Sequence, residues 1–220
     1  MIIVAVDETN FKKASSIINN LDPKKCMVKI GSVSFNSIGH EIISYTAKRG
    51  FDIFLDLKLH DIPNTVEKTI NGLATLPIKF LTIHTSGGKD MMMAAMKAAS
   101  GTNVKIFGVT TLTSLSDIDT NSIFRRSAAE QVSSMLDLAE MAGIDGVVCS
   151  PHELELVKNR DSLLSITPGI RIQDLNDDQK RVMTPKKAID LGADYLVIGR
   201  PITTSNDIKK SLNDIYESIQ

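Results

Sequence analysis

The architecture of this chain is clearest in the segment Phe51-Asp52-Ile53-Phe54-Leu55-Asp56-Leu57-Lys58-Leu59-His60-Asp61-Ile62-Pro63-Asn64-Thr65. Its first part is apolar, and its side chains alternate between two faces, as they do in a buried strand. Charges of alternating sign then follow at the end of that strand. Asp56 and Lys58 are two residues apart and leave the strand on one face, and Asp61 follows as the chain turns.

The charges around Lys58 suggest its chemistry. Opposite charges within a few ångströms favour the ammonium form, so we expect Lys58 to keep its proton between Asp56 and Asp61. A lysine that forms an imine must be neutral, and this setting therefore favours a general acid or a fixed cation. A cluster of surface ion pairs would show the same spacing, and these residues alone leave that alternative open.

Short apolar, β-branched runs alternate with segments of helical period along the whole chain. The runs begin near Ile2, Cys26, Phe51, Lys79, Val104, Asp145, Leu163 and Asp194. Residues recur at helical spacing between them, as in Ala128, Val132, Met135, Ala139 and Ala142, and in Ile38, Ile42 and Tyr45. Eight such repeats predict an α/β fold, a (β/α)8 TIM barrel formed by residues 1–220 as a single domain. The first strand lacks the Gly-x-Gly-x-x-Gly fingerprint, which counts against an open dinucleotide-binding sheet.

Glycines and two long connections separate the predicted helices and strands. Gly50, Gly101, Gly143 and Gly192 fall where helices should end before the next strand. The connections over residues 110–124 and 168–183 are longer than a turn requires. We expect them to be functional, as a lid would be, although plain surface loops would have a similar composition.

The composition excludes several classes of partner. Charged residues make up 23% of the chain and hydrophobic residues 42%, with a formal net charge of -1, as in ordinary globular proteins. With no basic surplus, no Trp and three Tyr, a nucleic-acid surface is not expected. No apolar run has membrane-spanning length and no leader follows Met1, so we expect a cytoplasmic protein. Cys26 and Cys149 flank predicted strands and are interpreted as core thiols.

Polar residues follow most of the predicted strands, where active sites of such barrels form. The strand ends carry Asp7, Lys29, Asp56 with Lys58, His84, the segment from Thr110 to Ser114, Thr167-Pro168-Gly169, and Gly199-Arg200. Lys29 lies inside what should be a buried strand, and a buried charge needs a partner. Asp7, Asp56 and Asp61 are the acids that could pair with it.

A phosphate site is predicted in the loops after strands seven and eight. These loops carry Gly169, Arg171, Gln179, Gly199 and Arg200. Glycine lets backbone N–H groups approach an anion, and a guanidinium binds it through two hydrogen bonds. No metal is expected, because Lys29 and Lys58 occupy positions where metal ligands would lie. His60 and His84 lie near the predicted site, but they are interpreted as structural groups rather than metal ligands.

With these residues in place, the chain resembles the orotidine 5'-phosphate decarboxylase family from Val4 to Pro201. The ten-residue block from Asp56 to Thr65 is the most specific part. Four further motifs match: Val28-Lys29-Ile30-Gly31, Leu112-Thr113-Ser114, Thr167-Pro168-Gly169-Ile170-Arg171 and Arg181-Val182-Met183-Thr184-Pro185. The resemblance implies a lyase that decarboxylates orotidine 5'-phosphate in pyrimidine and UMP biosynthesis, without a cofactor.

The resemblance also implies roles for individual residues. Asp7 and Lys29 would hold ribose hydroxyls, Asp56 and Lys58 would face the reacting carbon, and Lys58 would protonate it. Thr113 and Ser114 would border the pyrimidine. The phosphate end would be bound by Arg171, Gln179, Gly199 and Arg200; Gln173 is the alternative to Gln179, because the intervening segment looks about one residue shorter. Asp61 and Thr65 would reach the neighbouring subunit's site, which implies a homodimer.

Two other functions compete with this interpretation. A magnesium-dependent sugar-phosphate decarboxylase or synthase of the same superfamily shares Asp-x-Lys-x-x-Asp, although the continuation Ile62-Pro63-Asn64-Thr65 disfavours it. A barrel that only binds a nucleotide would not require Asp56, Lys58 and Asp61 together.

Overall fold

Eight parallel strands form a closed barrel in the order of the sequence, with the first strand paired to the last. A computed structural model describes residues 1–171 and 183–220 of the chain. The strands are β1 (Ile2–Val6), β2 (Cys26–Gly31), β3 (Ile53–Leu59), β4 (Phe80–His84), β5 (Lys105–Val109), β6 (Gly146–Val148), β7 (Leu164–Thr167) and β8 (Tyr195–Ile198). The predicted TIM barrel is therefore confirmed, and each strand begins within two residues of its predicted start.

Helices connect the strands and cover the outside of the barrel. They are α1 (Phe11–Asn19), α2 (Ser32–Ile38), α3 (His40–Ala47), α4 (Pro63–Leu73), α5 (Lys89–Ala99), α6 (Asp117–Phe124), α7 (Ala128–Ala142), α8 (Leu154–Lys158), α9 (Pro185–Asp190), α10 (Arg200–Thr203) and α11 (Ile208–Ser218). Helix α7 buries its predicted stripe, and Ser127 and Glu130 form a capping box at its start. None of these described helices is both long and apolar enough to cross a membrane.

The interior of the barrel is apolar at its lower and middle levels. Phe54, Phe80 and Phe107 are buried on adjacent strands, and Phe80 and Phe107 have ring centroids 4.8 Å apart. Each buried side chain of this size contributes about 1.5–3 kcal/mol to folding. This packed layer closes the lower part of the barrel, so polar groups can gather only above it, at the carboxyl ends of the strands.

Two sequence predictions about the helices were wrong. Ile38, Ile42 and Tyr45 do not share one helix, because Gly39 has a φ of 79° and separates α2 from α3. The connection over residues 110–124 is not all loop, since it contains α6. A capping box between Ser116 and Asp119 starts that helix, while its exposed Ile118 and Ile123 give it no buried apolar stripe to detect.

Other predictions about the fold are confirmed. Gly50, Gly101, Gly143 and Gly192 all have positive φ at the ends of helical segments. Cys26 and Cys149 are free and buried. Burial raises the pKa of the Cys26 thiol to about 12 and also raises the pKa of the Cys149 thiol, so both are inert core groups.

Candidate active site

A network of charges lies at the carboxyl end of the barrel, above the aromatic layer. Lys29 lies near the end of β2, Asp56 and Lys58 lie in β3, and Asp7 follows β1. The β2–β3 ladder places Lys29 beside Phe54, and Gly31 beside Asp56. The strands therefore present these side chains at one rim, as the sequence predicts.

Lys29 is a buried cation with two carboxylate partners. Its Nζ is 3.1 Å from Oδ1 of Asp7 and 3.5 Å from Oδ2 of Asp56. Two of the three acids proposed from the sequence thus pair with it. These contacts offset the cost of removing an ammonium group from water.

Asp56 forms the centre of the network. Both of its oxygens accept hydrogen bonds from Lys58 Nζ at 2.7 Å, and Oδ1 also accepts one from the Thr82 hydroxyl at 3.0 Å. Burial opposes ionisation of this carboxyl, but the charges of Lys29 and Lys58 and its hydrogen bonds hold its pKa below the usual value. Asp56 is therefore a carboxylate that holds two cations at the rim.

The backbone of β3 is irregular where it carries Lys58. Its ladder to β4 pairs Leu55 with Leu81 and then Leu59 with Ile83, so β3 has two more residues than β4 between these pairs. Lys58 has a φ of 52°, a conformation that is uncommon for a residue other than glycine. Backbone outliers of this kind cluster at functional sites.

Asp61 does not pair with Lys58 in this chain, which corrects the prediction of a lysine held between two acids. Its Oδ1 accepts a hydrogen bond from the Ile62 N–H at 2.7 Å, and the side chain is exposed. Asp61 follows the end of β3 at Leu59, beyond the strand residues that carry the network. Thr65 is also exposed, in the first turn of α4.

A cavity of about 520 Å³ opens above the charge network. This volume suits a small-molecule ligand. The predicted site residues that line it are Asp7, Lys29, Asp56, Lys58, Thr113, Arg171, Gly199 and Arg200. Acids and lysines therefore lie on the β1–β3 side, and the two arginines lie on the β7–β8 side.

The remaining predicted residues lie elsewhere. Among the described residues, Ser114, Asp61 and Thr65 do not line this cavity, and Ser114 is exposed after β5. Gln179 and its alternative Gln173 lie outside the described residues, as does most of the connection over residues 168–183. The ends of that connection meet, because Arg171 N–H donates to Met183 O at 3.0 Å.

Three residues of the site were not predicted from the sequence. Thr82 donates to Asp56, as described above, and also accepts a hydrogen bond from the Lys58 N–H at 2.8 Å. The hydroxyl of buried Ser34 accepts from Glu8 N–H at 2.9 Å and lies 2.8 Å from the Val6 carbonyl, so it fixes the backbone on both sides of Asp7. A Cβ on Gly31 would lie 2.9 Å from Asp7 Oδ1 and from Lys29 Nζ, so these two charged groups would have to shift to admit it.

His60 and His84 lie side by side near the rim, with ring centroids 5.1 Å apart. Burial and the neighbouring His60 and Lys58 lower the pKa of His84, while Asp56 opposes that shift. His84 is therefore neutral at physiological pH. In the described part of the chain, no group of three or more His, Cys, Asp or Glu side chains is placed to hold a metal ion.

The chain is similar to known proteins along nearly its whole length. Residues 1–215 match the model of the family described as Orotidine 5'-phosphate decarboxylase / HUMPS family. The chain is 43% identical over 220 residues to an orotidine 5'-phosphate decarboxylase of Saccharophagus degradans, covering 97% of this chain and 92% of the relative. It is 45% identical over 222 residues to an Ehrlichia chaffeensis protein of the same name, covering 99% and 96%.

A solved structure is also similar along its whole length. The crystal structure of orotidine 5'-phosphate decarboxylase from Lactobacillus acidophilus superimposes with a TM-score of 0.87 at 38% identity, covering 100% of this chain and 98% of that one. The shared fold and the shared sequence therefore extend over the same residues.

Proposed function

The chain belongs to the Orotidine 5'-phosphate decarboxylase / HUMPS family and is an enzyme of the carboxy-lyase class, and we propose that it converts orotidine 5'-monophosphate to uridine 5'-monophosphate and CO2. This reaction would be its step in de novo pyrimidine biosynthesis. The observation that carries the proposal is the Lys58 ammonium, held 2.7 Å from both oxygens of Asp56 at the edge of a ligand-sized cavity.

The proposed mechanism follows from the charge that the reaction creates. Breaking the bond between C6 and the carboxylate releases CO2 and leaves an electron pair on C6, with no adjacent carbonyl to accept it. The Lys58 ammonium stabilises that pair and then donates a proton to C6, which yields the product. The resulting neutral amine regains its proton from water.

Asp56 has two roles in this scheme. It is the counter-charge that keeps Lys58 in place, because it accepts both of the hydrogen bonds from Nζ. Its carboxylate also faces the carboxylate of the substrate, and the repulsion between them is relieved as CO2 leaves. Asp7 and Lys29 bind the ribose hydroxyls, and Thr113 borders the pyrimidine.

A direct assay tests the proposed reaction. The purified protein is mixed with orotidine 5'-monophosphate, and the absorbance of the orotate ring should fall as the product accumulates. A chelator should leave this rate unchanged, because no step uses a metal. A rate that needs added magnesium would favour the sugar-phosphate enzymes, and binding without turnover would favour a nucleotide-binding barrel.

The phosphate end of the substrate is proposed to bind Arg200 and Arg171, which line the opposite side of the cavity from Lys58. Gly199 and Gln179 complete this part of the proposal. Arg200→Ala should weaken substrate binding by roughly 2–4 kcal/mol. Arg49, exposed just after α3, is the matched control, and its replacement by Ala should leave binding unchanged. Equal affinities of the two variants would exclude a phosphate contact at Arg200.

We also propose that two copies of the chain pair through the face that carries Asp61 and Thr65. Both residues are exposed, and between them lies Ile62, a large apolar side chain that is 64% exposed. A second copy covering this face would bring Asp61 and Thr65 to the neighbouring cavity. Sedimentation at several concentrations should show the dimer.

The cytoplasmic location of the protein also stays a prediction.

Mixing two inactive variants tests whether the site is shared. Lys58→Ala lacks the proton donor, and Asp61→Ala lacks the group offered to the partner. A mixed dimer contains one site with both groups, so co-refolded variants should regain turnover that neither has alone. No recovery in dimers of verified mixed composition would argue that Asp61 acts only within its own chain.

A further inference from the structure

Thr82 is a buried polar residue in the middle of β4, above the aromatic layer. It lies two residues after Phe80, so both side chains point into the barrel. Thr82 is 0% exposed, and its hydroxyl is the polar group that β4 presents at this level. An apolar side chain of the same shape would fit this position, so packing alone does not explain the hydroxyl.

The hydroxyl of Thr82 joins the backbone of one catalytic residue to the side chain of another. Oγ1 accepts a hydrogen bond from the Lys58 N–H at 2.8 Å. The same oxygen donates to Oδ1 of Asp56 at 3.0 Å. The Thr82 hydroxyl thus accepts a hydrogen bond from Lys58 and donates one to Asp56. These two residues are also joined directly, by the hydrogen bond from Lys58 Nζ to Asp56.

These bonds occur where β3 departs from regular strand geometry. The two additional residues of β3 lie between Leu55 and Leu59, so the Lys58 N–H falls within the stretch where the β3–β4 register shifts. Thr82 provides the acceptor for it from β4. The left-handed backbone of Lys58, with a φ of 52°, is therefore fixed by a side chain. Without this bond, the partly buried Lys58 N–H would lose its hydrogen-bond acceptor.

We propose that Thr82 is a positioning residue for the decarboxylation: its hydroxyl fixes the irregular backbone of Lys58 and the orientation of Asp56, so that the Lys58 ammonium meets C6. This inference rests on the proposed function. Thr82 is not among the described residues that line the cavity, and its effect is exerted through Lys58 and Asp56. Substrate binding depends on Asp7, Lys29 and the arginines, which Thr82 does not contact, so its loss should lower kcat more than it raises KM.

Two pairs of variants isolate the hydroxyl. Threonine and valine have the same shape, and serine and alanine form a smaller pair, so each pair differs only by the hydroxyl group. Thr82→Val and Thr82→Ala should lower kcat by about 10- to 100-fold with little change in KM. Thr82→Ser should keep kcat close to that of the unmodified chain. If Thr82→Val does not fold, the Ser and Ala variants carry the comparison.

A second readout does not depend on turnover. Hydrogen exchange of the Lys58 amide, followed by NMR, should be slow in the unmodified protein and in Thr82→Ser, and at least about tenfold faster in Thr82→Val. Thr46 provides the matched control, because it is equally buried and its hydroxyl donates to Ile42 O at 2.7 Å within α3. Thr46→Val should change neither kcat nor the exchange of the Lys58 amide.

The outcomes separate the two proposals. An unmodified protein without decarboxylase activity would overturn the proposed function and this role with it. An active unmodified protein with an equally active Thr82→Val variant would overturn the role of Thr82 alone. Equal losses of kcat in Thr82→Ser and Thr82→Ala would also overturn it, because shape rather than the hydroxyl would then control the rate.

Discussion

Two lysine–aspartate pairs lie at opposite ends of β3 and have almost the same length. At the amino end, Lys79 Nζ is 2.6 Å from Asp52, and at the carboxyl end, Lys58 Nζ is 2.7 Å from Asp56. The side chain of Asp52 is 51% exposed, whereas that of Asp56 is 10% exposed and has a second ammonium and a hydroxyl as neighbours. Distance alone therefore does not distinguish an exposed ion pair from one that lies at the cavity.

The surroundings of the two pairs account for the difference. Water screens an exposed pair, which contributes little to stability. Water is largely excluded from Asp56, so its charge acts strongly on Lys29 and Lys58 and must be compensated by them. The Lys58–Asp56 pair thus costs free energy to assemble and fixes charges at the mouth of the cavity. The exposed Lys79–Asp52 pair does neither.

The largest expected effect is the loss of the lysine at the carboxyl end of β3. Lys58→Ala removes both the cation and the proton donor, so turnover should fall by at least about 10⁴-fold. Titration with uridine 5'-monophosphate should still show binding, since the ribose and phosphate contacts remain. Turnover close to that of the unmodified chain would remove Lys58 from the mechanism.

Asp56→Asn should destabilise the fold in a pH-dependent way. At neutral pH the change leaves two cations without their shared counter-charge, and the free energy of unfolding should fall by about 3 kcal/mol. The folded pKa of Asp56 lies below its usual value, so its contribution is complete above pH 3.8 and is lost as the pH falls through the lower folded pKa.

Urea unfolding of both proteins across this pH range measures the effect. The difference between the unmodified chain and Asp56→Asn should narrow in acid, while Asp52→Asn should show a small difference throughout. A gap that stays constant down to the most acidic pH would mean that the Asp56 charge does not stabilise the fold.

Gly31→Ala probes how tightly the carboxyl end is packed. The added methyl group would lie 2.9 Å from Asp7 Oδ1 and from Lys29 Nζ and would push this pair apart. Substrate binding should weaken by about tenfold, because both groups are proposed to hold the ribose. Gly72→Ala in α4 is the control, since its Cβ would meet nothing within 4 Å. Calorimetric affinities that agree for the two variants would contradict a ribose contact here.

The smallest effect is expected at the amino end of β3. Lys79→Ala removes an exposed ion pair, and the free energy of unfolding should change by less than about 1 kcal/mol. Turnover should be unchanged, because the aromatic layer of the barrel separates Lys79 from the cavity. A large loss of turnover in this variant would show that the two ends of β3 are coupled.

The sequence predicts the barrel well because strand and helix periods are local properties. The eight apolar runs and the glycines after the helices lie where the structure has them. The sequence was less informative about the fold where local and tertiary effects conflict. Helix α6 is specified by its cap rather than by an apolar stripe, and Gly39 interrupts a run of correctly spaced apolar residues.

The sequence likewise predicted some residues of the candidate site and missed others. Lys29, Asp56 and Lys58 carry a clear signal, since charges within an apolar strand require partners. Thr82 and Ser34 gave little signal, because a hydroxyl in a strand is common and its value here depends on which backbone lies opposite. The spacing of Asp61 suggested a contact with Lys58, but its carboxylate accepts from the neighbouring Ile62 N–H instead, a local bond that the spacing does not reveal.

Restoring an amine at position 58 tests directly whether the Lys58 ammonium is required for turnover. Lys58→Cys should be nearly inactive, and alkylation with bromoethylamine rebuilds an ammonium group of similar length on the sulfur. Cys26 and Cys149 should not react, since both are buried with raised thiol pKa values. A proton-donating role for Lys58 predicts that turnover rises by at least about 100-fold when mass spectrometry shows a single modification. Fully modified protein that stays as inactive as Lys58→Cys would contradict it.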